Sequence, residues 1–339
     1  MKRVCWTLLI LALAVGGPAA AQDLRSDAPP AASGLDLPAA EEASPEAVLL
    51  ALEEIDSRLT VPVAVGSRGP YNFIIDTGAE RSVIARELAR SLRLEPGKPV
   101  SMTSMTGTAL VDTVIVPDLS IRTIGRQHRV VAPALFARNL GAAGLLGIDT
   151  LREHQVSIDF EKGVMAVQPS EKRKRQRRTM PGEIVVTAKS LFGQLIVTDA
   201  YYGSTRIRVV LDTGSQVTMG NSALRRRIGK HAAKAQPIEL TSVTGATTLA
   251  DYTVIPDVRV GEVQFGLLSV AFADVTPFER FGLTRYPALL LGMDALRSFR
   301  RVDIDFPNRQ VRFLMPKEAR QEPRSRRPGG AFGLGGSQP

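Results

Sequence analysis

The tripeptide Asp-Thr-Gly occurs twice, each time directly after an apolar run: Phe73-Ile74-Ile75 leads into Asp76-Thr77-Gly78, and Val209-Val210-Leu211 into Asp212-Thr213-Gly214. A carboxylate at the end of a buried strand is costly to desolvate unless something satisfies or uses it. The surroundings repeat as well. Thr103-Ser104-Met105-Thr106-Gly107 matches Thr241-Ser242-Val243-Thr244-Gly245, and Val116-Pro117-Asp118 matches Ile255-Pro256-Asp257. Leu145-Leu146-Gly147-Ile148-Asp149 matches Leu290-Leu291-Gly292-Met293-Asp294, and Val156-Ser157-Ile158-Asp159-Phe160 matches Val302-Asp303-Ile304-Asp305-Phe306. From the first pair to the last, the spacing between copies rises from 136 to 146 residues without reversing. Order is kept and loops have lengthened, so the chain is an internal duplication.

Strand signals dominate both copies. Val61, Val63 and Val65 alternate with other residues, and Gly66-Ser67-Arg68-Gly69-Pro70 turns the chain into Tyr71–Ile75. In the second copy Leu195-Ile196-Val197 leads to Tyr202-Gly203-Ser204 and then Ile207–Leu211. Each hairpin delivers its Asp at a strand end, where the Gly two residues on allows a tight turn. Ala85, Leu88, Ala89 and Leu92 predict a short helix after the first turn. The expectation is an all-β fold with minor helices.

The ordered motifs resemble the pepsin and retropepsin superfamily of aspartic proteases, in which an Asp-Thr-Gly turn is followed much later by a hydrophobic-hydrophobic-Gly segment. The compact copies, and the absence of the pepsin flap tyrosine, make the chain similar to a retropepsin dimer fused into one polypeptide. The resemblance implies two tandem retropepsin-like β-barrel domains related by a pseudo-two-fold axis, over residues 58–169 and 183–316. It also implies one shared site with Asp76 and Asp212 as catalytic carboxylates and Thr77, Gly78, Thr213 and Gly214 as the active-site turns. The family's crossed hydrogen bond would come from each Thr hydroxyl. Thr106, Gly107, Thr244 and Gly245 fall where the family places its substrate-binding flaps. Two flaps over one cleft would bind an extended peptide by strand addition.

Paired carboxylates that cannot both ionise easily hold one proton between them, and an activated water can then attack an amide without metal, other cofactor or covalent intermediate. The other repeated aspartates read differently: 149/294 as helix caps, 159/305 as exposed strand positions, 118/257 as turns. Glu80 follows the first turn where the second copy has Gln216, and is expected to face water. His128, His154 and His231 have no metal-like spacing, and no phosphate loop, Ser-His-Asp order or zinc pattern appears. The function expected is an aspartic endopeptidase. The alternative is an inactive peptide-binding scaffold of the same fold, against which two intact Asp-Thr-Gly turns argue. A connection of roughly 13 residues, 170–182, spans up to about 45 Å extended, so pairing within one chain, a monomeric pseudo-dimer, is favoured by effective concentration.

The ends carry other signals. Lys2 and Arg3, the apolar Leu8–Val15 and Ala19-Ala20-Ala21 read as a secretory signal, 1–21, too short to span a bilayer. Periplasmic or secreted location in a bacterium is therefore expected. The only cysteine, Cys5, lies in that leader, so a processed chain has no disulfide. Residues 22–44 read as a disordered leader and 45–57 as a short helix opened by Ser44-Pro45. Net charge is +9, concentrated in the basic linker Lys172–Arg178 and in the tail 317–339 with Arg320, Arg324, Arg326 and Arg327. Export and the lack of interleaved aromatics argue against nucleic acid as a partner.

Overall fold

A computed structural model describes residues 3–5, 59–173 and 178–316. The sequence-predicted signal segment (apart from Arg3–Cys5, a short strand parallel to Glu239–Thr241), the leader, the helix 45–57 and the basic tail lie outside the described residues. Among the described residues no helix is long and apolar enough to cross a membrane.

Each copy is built on a hairpin whose second strand ends at the Asp-Thr-Gly turn. In the first, Thr60–Val65 pairs antiparallel with Arg68–Ile75. In the second, Gln194–Tyr202 pairs with Thr205–Leu211. Both turns are entered by strands buried on both faces, Phe73–Ile75 and Val209–Leu211, because a second strand from the Leu-Leu-Gly motif lies alongside. Gly144–Leu146 runs parallel to Phe73–Ile75, and Ala288–Leu291 parallel to Arg208–Leu211. The order of pairing then continues around a closed six-stranded ring in each copy. Ala64-Val65 against Leu119-Ser120 closes the first, and Ala200–Tyr202 against Val258–Val260 the second. The fold is all-β with short helices, and the helix predicted after the first turn is present as Arg86–Ser91 with Ala89 buried.

The copies are joined by more than the linker. A five-stranded sheet takes His154–Asp159 and Val164–Pro169 from the first copy and Arg301–Asp305, Gln310–Leu314 and Glu183–Thr187 from the second part of the chain. At its centre the equivalent strands 154–159 and 301–305 pair antiparallel, with Ser157 opposite Asp303. Since 157 and 303 are themselves equivalent positions in the duplication, the pseudo-two-fold axis passes through that pair. Val156, Ile158, Val302, Ile304, Val311 and Phe313 are almost wholly buried in one hydrophobic cluster that also holds Phe73, Ile75, Val209 and Leu211. The core is therefore continuous beneath the two turns.

Two polar details of this sheet differ from the sequence expectation. Asp305 is buried rather than on an exposed strand face, because the chain leaving the first copy crosses it: Ser170 donates to Asp305 at 2.9 Å and Asn308 Nδ2 at 2.9 Å. Its counterpart Asp159 closes a hairpin turn, accepting from Lys162 N at 2.9 Å. Beside them Arg312 and Glu183 form a buried ion pair at 3.1 Å.

Candidate active site

The two turns meet back to back. Thr77 Oγ1 donates to Leu211 O at 2.9 Å and accepts from Thr213 N at 3.1 Å. Thr213 Oγ1 donates to Ile75 O at 2.8 Å and accepts from Thr77 N at 3.1 Å. These four buried bonds cross between copies and fix each strand end against the other. Below them the backbone repeats almost bond for bond. Asp76 N donates to Leu146 O at 2.9 Å and Asp212 N to Leu291 O at 3.0 Å; Ile148 N donates to Ala79 O and Met293 N to Ser215 O, both at 2.8 Å.

Held this way, Asp76 and Asp212 come together, each carboxyl group packed against the other copy's turn glycine. One oxygen of each is fixed by its own turn. Asp76 Oδ1 accepts from Gly78 N and Ala79 N at 2.9 Å each, and Asp212 Oδ1 from Gly214 N at 3.1 Å and Ser215 N at 3.2 Å. Glycine is required here for space. A Cβ on Gly78 would lie 2.6 Å from Asp212 Oδ1, and one on Gly214 2.1 Å from Asp76 Cγ. The reason for the glycines is the other copy's carboxyl group, which the sequence reading had assigned to turn geometry.

Burial raises both carboxyl pKa values, against the pull of the turn N–H groups, which favour the charged form. Asp76 rises to about 6. Asp212 is pushed up to about 8, first by burial and then by the negative charge of Asp76 beside it. Two carboxyls this close titrate as a pair, and the first ionisation makes the second harder. Between those values the pair carries one proton.

The repeated aspartates 149 and 294 are second residues of short helices whose N-caps are Gly147 and Gly292. Their carboxylates accept from first-turn N–H groups of these helices, Thr150 N at 2.9 Å and Ala295 N at 2.7 Å, and also reach across to the segment after each Asp-Thr-Gly turn. Asp149 accepts from Ser82 N at 2.9 Å and Ser82 Oγ at 2.7 Å, and Asp294 from Thr218 N at 2.9 Å and Thr218 Oγ1 at 2.6 Å. Gly147 and Gly292 permit the approach, since a Cβ would come within 2.5 Å of Arg81 C and 2.7 Å of Val217 C. These aspartates position the turns. Asp118 and Asp257, expected in turns, lie instead within the strands Thr113–Ile121 and Thr247–Val260, where their carbonyls accept from Gly66 N and Gly203 N of the neighbouring hairpin turns.

Two hairpins cover the carboxyl pair. Val100–Ser104 pairs with Gly107–Val111, and Gln236–Thr241 with the first part of Thr247–Val260. Thr106 and Gly107 lie at one tip, Thr244 and Gly245 at the other, and Ser104 Oγ stands 3.5 Å from Thr244 Oγ1 between them. Each tip also inserts an apolar residue into the opposite copy. Met105 is buried with Val217, Phe278 and Leu290 of the second copy; Val243 is buried with Ile74, Leu140 and Leu145 of the first. Met105 O accepts from Thr276 N at 3.1 Å, which ties the first tip to the helix Thr276–Arg280. The sequence reading singled out the Thr-Gly of each motif and missed the residue before it, although Met and Val at matched tip positions were visible.

Under the hairpins lies a cavity of about 350 Å³ reached by both carboxyl groups. Its wall holds Glu80, which does not simply face water: it is ion-paired with Arg280 of the second copy. Arg280 also stands 5.4 Å from the Phe192 ring centroid. Nothing in a sequence links residues 80 and 280, because the contact exists only once the copies have docked. Of the histidines, His128 Nδ1 lies 2.5 Å from Asp118 Oδ1 and His154 Nδ1 2.9 Å from Thr150 O, away from the carboxyl pair. Among the described residues no group of three or more His, Cys, Asp or Glu side chains could hold a metal ion.

No curated protein matches the chain. The aspartyl protease family matches residues 61–150 and 198–295, more than half of the chain and one stretch in each copy, with Asp76 in the first and Asp212 in the second. By its duplicated fold and by this match, the chain belongs to the aspartyl protease family.

Proposed function

We propose that the protein is an aspartic endopeptidase in which Asp76 and Asp212 form one catalytic dyad within a single chain. The observation that carries this reading is the meeting of the two carboxyl groups at one cavity, each packed against the other copy's turn. With one proton on the pair, the ionised carboxylate draws a proton from a water held between them. The water oxygen attacks the amide carbonyl carbon, and the protonated partner donates to the developing oxyanion. Protonation of the leaving nitrogen by the dyad then separates the products and restores the single shared proton. The turn N–H groups of Gly78, Ala79, Gly214 and Ser215 anchor the inner oxygens, leaving the outer ones for water and substrate. The flaps offer main-chain groups at Thr106, Gly107, Thr244 and Gly245 to an extended peptide.

The test is cleavage of a diverse quenched-fluorescence peptide library across pH, with Asp76→Asn and Asp212→Asn alongside. Each single variant should lose cleavage to background while keeping the fold, and the double variant should be no worse, because the two residues act as one unit. Substantial turnover by either single variant would refute a shared dyad. Tight peptide binding without cleavage at any pH would favour the scaffold reading.

A further inference from the structure

Gln194 stands at the start of the second copy's hairpin and lines the cavity beside Asp76 and Asp212. Only 1% of it is exposed. Its Nε2 donates to Gly78 O at 2.9 Å. A carbonyl oxygen can only accept, so this bond fixes which end of the amide faces Gly78 and which end is turned away. The oxygen end, Oε1, is buried and has no hydrogen-bond partner in the protein. A buried acceptor left unserved is unfavourable, and natural folds rarely keep one without a use. Gln194 is one of the residues that line the substrate-sized cavity.

Its neighbours narrow the choice of partner. Glu80 on the same wall is already neutralised by Arg280, whose guanidinium also lies against the Phe192 ring. The flank is thus polar but without uncompensated negative charge, which suits a neutral donor better than a cation. The flaps and turns are placed to serve a peptide's main chain. A wall amide is left to read a side chain.

We propose that Gln194 is a specificity residue: its Oε1 accepts a hydrogen bond from a side-chain amide or hydroxyl of the substrate, on one flank of the scissile bond only. The inference rests on the peptidase reading above and deepens it by naming a substrate class, peptides carrying Asn, Gln, Ser or Thr at that subsite. Arg280 and Glu80 act beside it by keeping the flank neutral.

The experiment uses the full chain and positional peptide sets in which one residue at a time is Gln, Met or Lys. Met is nearly isosteric with Gln but cannot donate. Wild type should prefer Gln over Met by about tenfold in kcat/KM at one position on one side of the cut, the worth of roughly one buried hydrogen bond. Gln194→Met should reduce that ratio to within about twofold, and Gln194→Glu should move the preference to Lys. Calorimetric titration of the same Gln and Met peptides with the scissile amide reduced gives the ratio of affinities independently of turnover. If no peptide is cleaved, the peptidase reading falls while this ratio still decides the subsite. A wild-type ratio near one at every position in both measurements would overturn the proposal. So would a ratio that survives in Gln194→Met, or a loss in that variant that is equal for all peptides, which would mark a main-chain contact.

Discussion

At the scale of single residues, the energetic peculiarity of this protein is a pair of carboxyls kept where both cannot be charged. The folded state binds their protons more tightly than the unfolded chain, whose Asp groups titrate near 3.8. Stability from this source is fully present below that value and is lost as pH rises through about 6 and about 8. Asp294, raised by burial to about 6, adds a loss of the same sign. Asp212→Asn should therefore be more stable than wild type at pH 8, by at least about 1 kcal/mol, since one pKa unit is about 1.36 kcal/mol. Thermal melts at pH 4.5 and pH 8 check this: the variant's gain should appear at pH 8 and shrink at pH 4.5. On the mechanism proposed above, activity requires the singly protonated pair and should follow a bell between about pH 6 and about pH 8. Kinetics that rise steadily beyond pH 9 would contradict it. Gly214→Ala tests the packing of the same pair. Its methyl would overlap Asp76, so cleavage should fall by more than about a hundredfold, as misplacement near reacting groups does.

At the scale of elements, the hairpins over the cavity are held shut by what their tips bury. Met105 and Val243 each fill an apolar site in the opposite copy. Met105→Asp should be unable to bury its tip and should raise KM about tenfold or more while leaving the far-ultraviolet circular dichroism unchanged. Steady-state kinetics would show the split between KM and kcat. These elements also mark how far the sequence was legible. The duplication, the strand pairs and the Asp-Thr-Gly turns could be read because each rests on local pattern: alternation, an apolar run, a turn residue. The helix Arg86–Ser91 was readable from its spacing for the same reason. The reach of Asp149 to Ser82, the burial of Asp305 under Ser170 and the bond between Glu80 and Arg280 could not be read. Each joins positions brought together only by closure of a barrel or docking of the two copies, and no local pattern records that. Gln194 escaped notice for a simpler reason, since a polar residue at a strand start looks like any solvated edge.

At the scale of the whole molecule, the five-stranded sheet makes the halves inseparable in a way that the covalent linker does not. Strand 154–159 of the first copy is hydrogen-bonded to strand 301–305 of the second, and the hydrophobic cluster runs through both. Limited trypsin digestion should cut first in the basic segment Lys172–Arg178. The two fragments should then co-elute on size exclusion in a native buffer and retain cleavage activity, whereas separation of the fragments would show that the sheet is weaker than its burial implies. The buried ion pair in this sheet should behave asymmetrically: Arg312→Met alone should cost about 3 kcal/mol or more by leaving Glu183 charged and buried, and pairing it with Glu183→Met should restore much of that loss, as denaturant titration can measure. The crossed threonine bonds have a consequence for heredity. Each turn is held by the other copy's backbone, so a change in one is felt in both, and the halves cannot drift apart there after duplication. The periphery is under no such tie: Glu80 stands where the other half has Gln216, and the helix Thr276–Arg280 carries an arginine facing it. Fusing two like subunits into one gene thus frees the outskirts to diverge around a centre that must mutate as one, which is how a symmetric machine can acquire a left and a right.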